Sequence, residues 1–147
     1  MTKHEFVQQA YRAASQSSKR SGMPAMVTVA QAALESNWGQ SKLSREARNY
    51  FGIKAHGKHD LVQMSTKECT KDATVVIKAE FAKYDSMLDC FECRDGILGR
   101  GTVYASARES CADEADFIRE IAKHWATDPK YAEKLSAVLA VVKGMLK

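Results

Sequence analysis

The run of residues 29–39, Val-Ala-Gln-Ala-Ala-Leu-Glu-Ser-Asn-Trp-Gly, constrains the fold of this chain more than any other stretch. Together with the residues before it, the run has apolar side chains at helical spacing, namely Val27, Ala30, Leu34 and Trp38. Pro24 is suited to the first turn of a helix, and Gly39 to the position just past its end. The pattern predicts an amphipathic helix that ends near Gly39.

Glu35 is the acidic residue of this otherwise uncharged, Ala-rich stretch, with Leu34 beside it and Trp38 three residues on. Apolar surroundings disfavour the charged form of a carboxyl group, so we expect the pKa of Glu35 to be raised. A carboxylic acid that stays protonated near neutral pH is what a glycosidase uses to protonate a departing sugar oxygen. The alternative is a glutamate at a helix end that faces water.

Length and composition bound the remaining possibilities. The chain has 147 residues and 45% apolar residues, which predicts one domain over residues 1–147 with a core of its own. Its net charge of +4 mildly favours a polyanionic partner without choosing among nucleic acid, anionic lipid and acidic wall polymer. The longest apolar run, residues 137–142, is far shorter than the roughly 18–20 residues of a membrane span. The N-terminus lacks the pattern of a secretion signal.

The order of elements predicts an α+β fold that is mostly helical. The stretch 74–79 is β-branched and follows a plausible turn, so we predict a small hairpin or sheet around residues 61–81. The residues before it, 41–60, look short and irregular. Helical patterns cover the rest of the chain, at residues 2–18, from a cap at Asp85 or Ser86, at residues 113–125, and from Asp128-Pro129 onward.

Taken together, these segments resemble the endo-β-N-acetylglucosaminidases of glycoside hydrolase family 73, a family that includes flagellar and autolytic peptidoglycan hydrolases on a lysozyme-like fold. The matching pieces come in the family's order and cover most of residues 20–135. They are Gly22-Met23-Pro24, Ala30 to Gly39, Asn49-Tyr50-Phe51-Gly52-Ile53-Lys54, Phe81 to Ser86, and Asp128 to Leu135.

The resemblance implies that Glu35 is the general acid and that a second carboxylate lies on the β insertion in a Thr-x-Glu context. Glu68 stands in such a context. The glycine that usually follows in the turn is missing here, so Asp60, Asp72 and Glu80 remain alternatives for the second carboxylate.

The resemblance also implies a site role for Tyr131, which would stabilise the positively charged sugar or position its acetamido group. The alternative is a core aromatic at the start of a helix. Four further aromatic residues are candidates for the walls of a glycan groove, although packing is an equal explanation for the third and fourth: Trp38, Tyr50, Phe51 and Tyr84.

The activity implied by the resemblance is cleavage of the β-1,4 bond between N-acetylglucosamine and N-acetylmuramic acid in peptidoglycan, without a cofactor or a metal. A muramidase or lytic transglycosylase on the same type of fold is the enzymatic alternative, and an inactive, glycan-binding relative is the non-enzymatic one. We expect a monomer that acts on the bacterial cell wall, in the periplasm or outside the cell. Such a chain suits a phage endolysin held in the host cytoplasm until a holin-type pore releases it, or the catalytic domain of a larger autolysin.

Two other classes are disfavoured by the residues themselves. A zinc site built from His56, His59, Cys90 and Cys93 has metal-like spacing, but the two cysteines fall inside a predicted helix. A helical nucleic-acid binder is disfavoured because no helix concentrates the basic residues. Without a secretion signal, we expect the cysteines to be free thiols.

Overall fold

The computed structural model describes residues 1–57, 60–69 and 71–147, with the backbone alone at residues 68 and 69. It confirms a mostly helical α+β fold with a small antiparallel sheet. The elements in chain order are α1 (Lys3–Ser21), α2 (Ala25–Ser36), α3 (Lys42–Ala47), β1 (Asp60–Cys69), β2 (Thr74–Lys83), α4 (Met87–Arg100), a 3-10 turn (Thr102–Tyr104), α5 (Ala105–Glu109), α6 (Glu114–Trp125) and α7 (Tyr131–Met145). Among the helices in these ranges, none is both long enough and apolar enough to cross a membrane.

Helix α2 forms the centre of the core, where it packs against α1 and α7. Most of its residues are buried, including the alanines at positions 30, 32 and 33. Because alanine side chains are short, the backbones of neighbouring helices can approach closely here. The hydrophobic core therefore converges on the helix that carries Glu35.

The end of α2 differs from the sequence prediction. The helix stops at Ser36, and Asn37, Trp38 and Gly39 all follow in the left-handed conformation, with φ of 50°, 58° and 78°. Gly39 is required by its surroundings as well as by its φ, because a Cβ atom there would lie 2.7 Å from the Phe6 ring. At the other end, Pro24 is the N-cap and lies just outside the first turn.

Two short helical segments were not predicted. Helix α3 lies in the stretch expected to be irregular, where the Ser41 hydroxyl caps it by accepting from the Ser44 amide at 3.1 Å. Helix α5 lies between α4 and α6. Both are too short to show a clear helical period in the sequence.

The predicted hairpin is present, with Asp60 paired to Lys83 at its open end and Cys69 to Thr74 near its turn. The half of β2 nearest the turn is exposed on both faces, and Val76 is 66% exposed. The other half enters the core at Phe81 and Ala82. The hairpin therefore projects from the helical body.

Buried Asn49 joins the loop after α3 to the end of β2. Its side-chain amide donates to the carbonyl oxygens of Ile53 and Ala82, both at 2.9 Å, while its Oδ1 accepts from the Phe51 and Ile53 amides. This one side chain fixes the conformation of the loop formed by residues 49–53.

Candidate active site

The candidate site forms where the last turn of α2 meets the first residue of α7. Glu35 lies in the last turn of α2, and the Tyr131 hydroxyl donates a hydrogen bond of 2.7 Å to its Oε1. Asp128 shapes the turn before α7, since its Oδ1 accepts from the Lys130 amide at 2.9 Å and its carbonyl from the Tyr131 amide. The last helix thus begins two residues after the predicted Asp128-Pro129 start, and Tyr131 is its first residue.

The pKa of Glu35 is raised above its usual range, chiefly because surrounding protein partly removes the carboxyl group from water. Hydrogen bonds from the side chains of Tyr131 and Trp125 oppose that rise, since both stabilise the charged form. Glu35 as a whole residue is nevertheless exposed to solvent. Glu35 is therefore a carboxylic acid that holds its proton more tightly than an ordinary glutamate and remains accessible.

Tyr131 is only 5% exposed, and its hydroxyl oxygen accepts a hydrogen bond of 3.0 Å from Nε2 of Gln31. Burial, together with the nearby Glu35 carboxyl, raises the pKa of this phenol. Tyr131 thus stays protonated at any physiological pH and remains a hydrogen-bond donor to Glu35.

Gln31 is in turn held by Arg94, a fully buried residue of α4. The Arg94 Nε donates to Gln31 Oε1 at 2.9 Å, and its Nη1 donates to Thr28 Oγ1 at 2.7 Å and to Asp95 Oδ1 at 2.9 Å. A continuous set of hydrogen bonds therefore runs from Asp95 through Arg94, Gln31 and Tyr131 to Glu35.

The other carboxylate oxygen of Asp95 is satisfied from α1. It accepts hydrogen bonds from Ser17 at 2.6 Å and from Ser21 at 2.7 Å. Sequence reasoning missed Gln31, Arg94 and Asp95. A signal existed for Arg94, which follows Cys90 and Phe91 at helical spacing on the buried face of α4.

Trp125, the last residue of α6, was also missed as a neighbour of Glu35. Its ring borders an open pocket of about 240 Å³. The pocket is lined by Phe51, Gly52, Ile53, Lys54, His56, Ile97, Tyr104 and Trp125. The half-buried Trp125 thus contacts Glu35 and also lines this pocket, which carries aromatic and polar groups.

The sequence model of the glucosaminidase family, described as mannosyl-glycoprotein endo-beta-N-acetylglucosaminidase, matches residues 11–143. The chain belongs to this family.

Curated relatives support the same assignment. The exo-glucosaminidase LytG of Bacillus subtilis is 36% identical over 118 residues, which cover 77% of this chain and 42% of LytG. The peptidoglycan hydrolase FlgJ of Escherichia coli K12 is 34% identical over 146 residues, which cover 95% of this chain and 47% of FlgJ. The chain thus spans less than half the length of these two relatives.

Solved structures of glucosaminidase relatives have the same fold. The catalytic domain of the autolysin Auto from Listeria monocytogenes superposes with a TM-score of 0.86 at 30% identity, covering 99% of this chain and 88% of that domain. A truncated glycoside hydrolase domain of FlgJ from Salmonella typhimurium gives a TM-score of 0.81 at 31% identity, covering 97% and 99%.

The four aromatic residues predicted as groove walls lie in two different environments. Tyr50, Phe51 and Tyr84 belong to the hydrophobic core and are 8%, 3% and 6% exposed, so this geometry favours packing over glycan contact for Tyr50 and Tyr84. The rings of Tyr50 and Phe51 lie in the core because both pack on the ring of Phe91. Phe51 also borders the pocket beside Trp125.

Trp38, the fourth predicted wall residue, is half-buried against the core. The Lys3 ammonium lies 5.0 Å from its ring centroid, a cation–π contact that ties the end of α2 to α1. Trp38 therefore keeps some exposed aromatic surface, and its role as a wall stays a prediction.

The described side chains do not show which residue supplies the predicted second carboxylate of the site. Glu68 pairs with Val75 in the hairpin, and its side chain lies outside the described residues. The three alternatives are all exposed, with Asp60 and Glu80 on the strands and Asp72 in the turn. The choice of Glu68 stays a prediction.

The zinc alternative involves His59, which also lies outside the described residues. Across the rest of the chain that the structure describes, no three His, Cys, Asp or Glu side chains are grouped closely enough to hold a metal ion. Among the described cysteines, Cys90 and Cys111 are free thiols, and Cys90 is buried in the core.

Proposed function

We propose that this glucosaminidase hydrolyses peptidoglycan, cutting the β-1,4 bond between N-acetylglucosamine and N-acetylmuramic acid within the glycan strand. The observation that carries the proposal is the accessible Glu35 carboxyl, whose pKa is raised by burial and whose Oε1 is held by Tyr131. Relatives named as peptidoglycan hydrolase and exo-glucosaminidase support the same substrate class.

Glu35 acts as the general acid in this proposal. Cleavage passes through an oxocarbenium-like transition state, in which the departing oxygen must receive a proton. A carboxyl group with a raised pKa carries that proton at a pH where an ordinary glutamate has lost it. Activity should therefore fall as the pH rises through the pKa of Glu35.

A second group must balance the positive charge that develops on the sugar. Glu68 is our candidate, either as a nucleophile or as a base for water, and the separation from Glu35 would be about 5 Å for the first role and about 6.5–9.5 Å for the second. In a third route the substrate's own N-acetyl group attacks, with Tyr131 positioning it.

The pocket beside Trp125 is our candidate for a sugar subsite. Its volume of about 240 Å³ and its aromatic border suit a saccharide ring, which presents an apolar face for packing and hydroxyl groups for hydrogen bonds. Lys54 and His56 supply polar groups at its rim.

We place the reaction at the bacterial cell wall and propose that the protein works as a monomer. Release of a phage endolysin through a pore and action as the catalytic part of a larger autolysin are both compatible with this chemistry.

The experiment is digestion of purified peptidoglycan, reduction of the new ends with borohydride and mass spectrometry, with Glu35→Gln in parallel. We expect reduced N-acetylglucosamine ends from the wild type and none from the variant. Reduced muramic acid ends or anhydro-muramic products would instead indicate a muramidase or lytic transglycosylase. Release of single sugars would indicate exo-cleavage, and a wild type that binds glycan without products would be an inactive relative.

A further inference from the structure

In the buried hydrogen bonds behind Glu35, Arg94 donates to Gln31, Gln31 donates to Tyr131, and Tyr131 donates to Glu35. We propose that Arg94 and Gln31 are positioning residues that keep the Tyr131 hydroxyl hydrogen directed at Glu35 Oε1, which leaves the acid's own proton on Oε2. This inference rests on the proposed function, in which Glu35 is the acid.

The first step is the orientation of the Gln31 amide. A guanidinium group carries only hydrogen-bond donors, so the Gln31 atom that lies 2.9 Å from Arg94 Nε must be the carbonyl oxygen. The NH₂ end of the amide then faces the Tyr131 hydroxyl oxygen, at 3.0 Å. Arg94 thereby decides which end of Gln31 is presented to Tyr131.

The second step is the orientation of the hydroxyl group. Because Gln31 presents a donor, the Tyr131 oxygen accepts from it and its single hydrogen is left for Glu35 Oε1, at 2.7 Å. Oε1 is therefore an acceptor in both charge states of Glu35. The proton that the acid transfers is left to Oε2.

The third step concerns the burial of Arg94. Its guanidinium is fully buried, Asp95 balances its charge, and its Nη2 has no hydrogen-bond partner among the described residues. Burying a charge with an unsatisfied donor costs stability, and apolar replacements of buried ion pairs are often neutral or stabilising. Orienting the Gln31 amide is the function that we assign to Arg94, whose burial costs stability.

The test compares two replacements of Gln31 that are close to it in size. Gln31→Glu keeps an acceptor for Arg94 but offers Tyr131 a second acceptor, so the hydroxyl hydrogen can turn away from Glu35. Gln31→Met leaves Arg94 Nε without its strong acceptor and offers Tyr131 only a thioether sulfur, which is a weak acceptor. Gln31→Glu should therefore be the more stable variant with the weaker Tyr131–Glu35 bond. Gln31→Met should be the less stable variant with the stronger Tyr131–Glu35 bond.

We expect Gln31→Glu to have the higher Tm and yet the lower kcat, about tenfold below Gln31→Met, which corresponds to about 1.4 kcal/mol of transition-state stabilisation. The extra loss should shrink strongly in a Tyr131→Phe background, where no hydroxyl can be turned. That background also measures the effect of the added negative charge alone. Val142→Ala is the control, because it truncates a core side chain on α7 far along the helix from Tyr131. It should lower Tm without changing the pH at which activity falls as the pH rises.

A purely structural role predicts that stability and kcat rank the two variants in the same order, and that result would overturn the proposal. An extra loss in Gln31→Glu that persists fully in the Tyr131→Phe background would also overturn it, since charge alone would then explain the loss.

A carboxyl NMR titration of Glu35 requires no substrate. It is made on Gln31→Glu and Gln31→Met, each with Tyr131 present and in the Tyr131→Phe background. The pKa of Glu35 should rise more in Gln31→Glu than in Gln31→Met, and this difference should shrink in the Tyr131→Phe background. If the wild type proves inactive on peptidoglycan, the proposed function fails, while this titration still decides whether Gln31 directs Tyr131.

Discussion

Replacing Tyr131 with phenylalanine should destabilise the protein by an amount that depends on pH. The substitution removes the hydroxyl that accepts from Gln31 and donates to Glu35, while the ring and its packing remain. Because the site is buried around Tyr131, the Gln31 amide is left without an acceptor on that side. The volume of the core hardly changes, so the loss should come from hydrogen bonds alone.

The magnitude follows from the charge state of Glu35. A hydrogen bond between neutral groups contributes about 0.5–1.5 kcal/mol, and one to a charged group about 1.5–3 kcal/mol. Since Glu35 is partly exposed, water replaces some of its lost bond, and we take about 1 kcal/mol for that bond when Glu35 is protonated and about 2 kcal/mol when it is ionised. The bond that Gln31 donates is lost at either pH and adds about 1 kcal/mol. The expected loss is therefore about 2 kcal/mol and about 3 kcal/mol, and at about 2–4 °C per kcal/mol Tm should fall by about 6 °C and about 9 °C.

The sign of the pH dependence comes from the pKa of Glu35. Its pKa in the folded protein lies above the unfolded value, so the stability contributed by its protonation is complete below the unfolded pKa and is lost as the pH rises through the folded pKa. The Tyr131 hydrogen bond lowers the folded pKa and limits that loss. Tyr131→Phe should therefore cost more above the pKa of Glu35 than below it.

Thermal unfolding followed by circular dichroism at about pH 4 and about pH 8 measures both costs. Tyr11→Phe is the matched control, because Tyr11 is 38% exposed and should change Tm little at either pH. An equal loss at both pH values, or a larger loss at acidic pH, would refute the claim that Tyr131 donates to the ionised carboxyl.

Two further predictions concern the frame around the site. Asn49→Ala should lower the free energy of unfolding by about 2–4 kcal/mol in denaturant titration, because the Phe51 and Ile53 amides lose their side-chain acceptor and the Ala82 and Ile53 carbonyl oxygens lose the Asn49 donor, although Ile53 keeps the Ala82 amide; a loss below about 1 kcal/mol would mean that water replaces the side chain. Gly39→Ala should cost about 1–3 kcal/mol and more than Gly22→Ala, because both glycines have positive φ but only Gly39 would place a Cβ against the Phe6 ring; equal losses would show that backbone strain alone matters.

The parts of the fold that could be predicted are those encoded by neighbours in the sequence. The Ser86 cap is confirmed, with its hydroxyl accepting from the Asp89 amide at 3.0 Å, and the β-branched stretch forms one strand of the hairpin. Glu35 was chosen as the candidate acid from its apolar neighbours and from the family motif around it, and that role stays a prediction. The family and the fold class are therefore legible from local pattern.

The hydrogen-bonded groups behind Glu35 could not be predicted, because their members come from three separate helices. Gln31 meets Tyr131 across 100 positions and Arg94 across 63, and no periodicity within one helix encodes such contacts. The burial of Tyr50 and Tyr84 has the same cause, since aromatic residues in a loop carry no period that separates a wall from a core position.

The composition of α2 connects core and site. Its buried alanines let α1 and α7 pack closely on the same helix, and that close packing brings the first residue of α7 within 2.7 Å of an acid in the last turn of α2. A larger residue at Ala32 or Ala33, both fully buried, would force the helices apart. A shift of 1 Å between helices would stretch the Tyr131–Glu35 contact beyond ordinary hydrogen-bond length. The Ala-rich run around Glu35 is therefore both a packing surface and a requirement for the hydrogen bond between Tyr131 and Glu35.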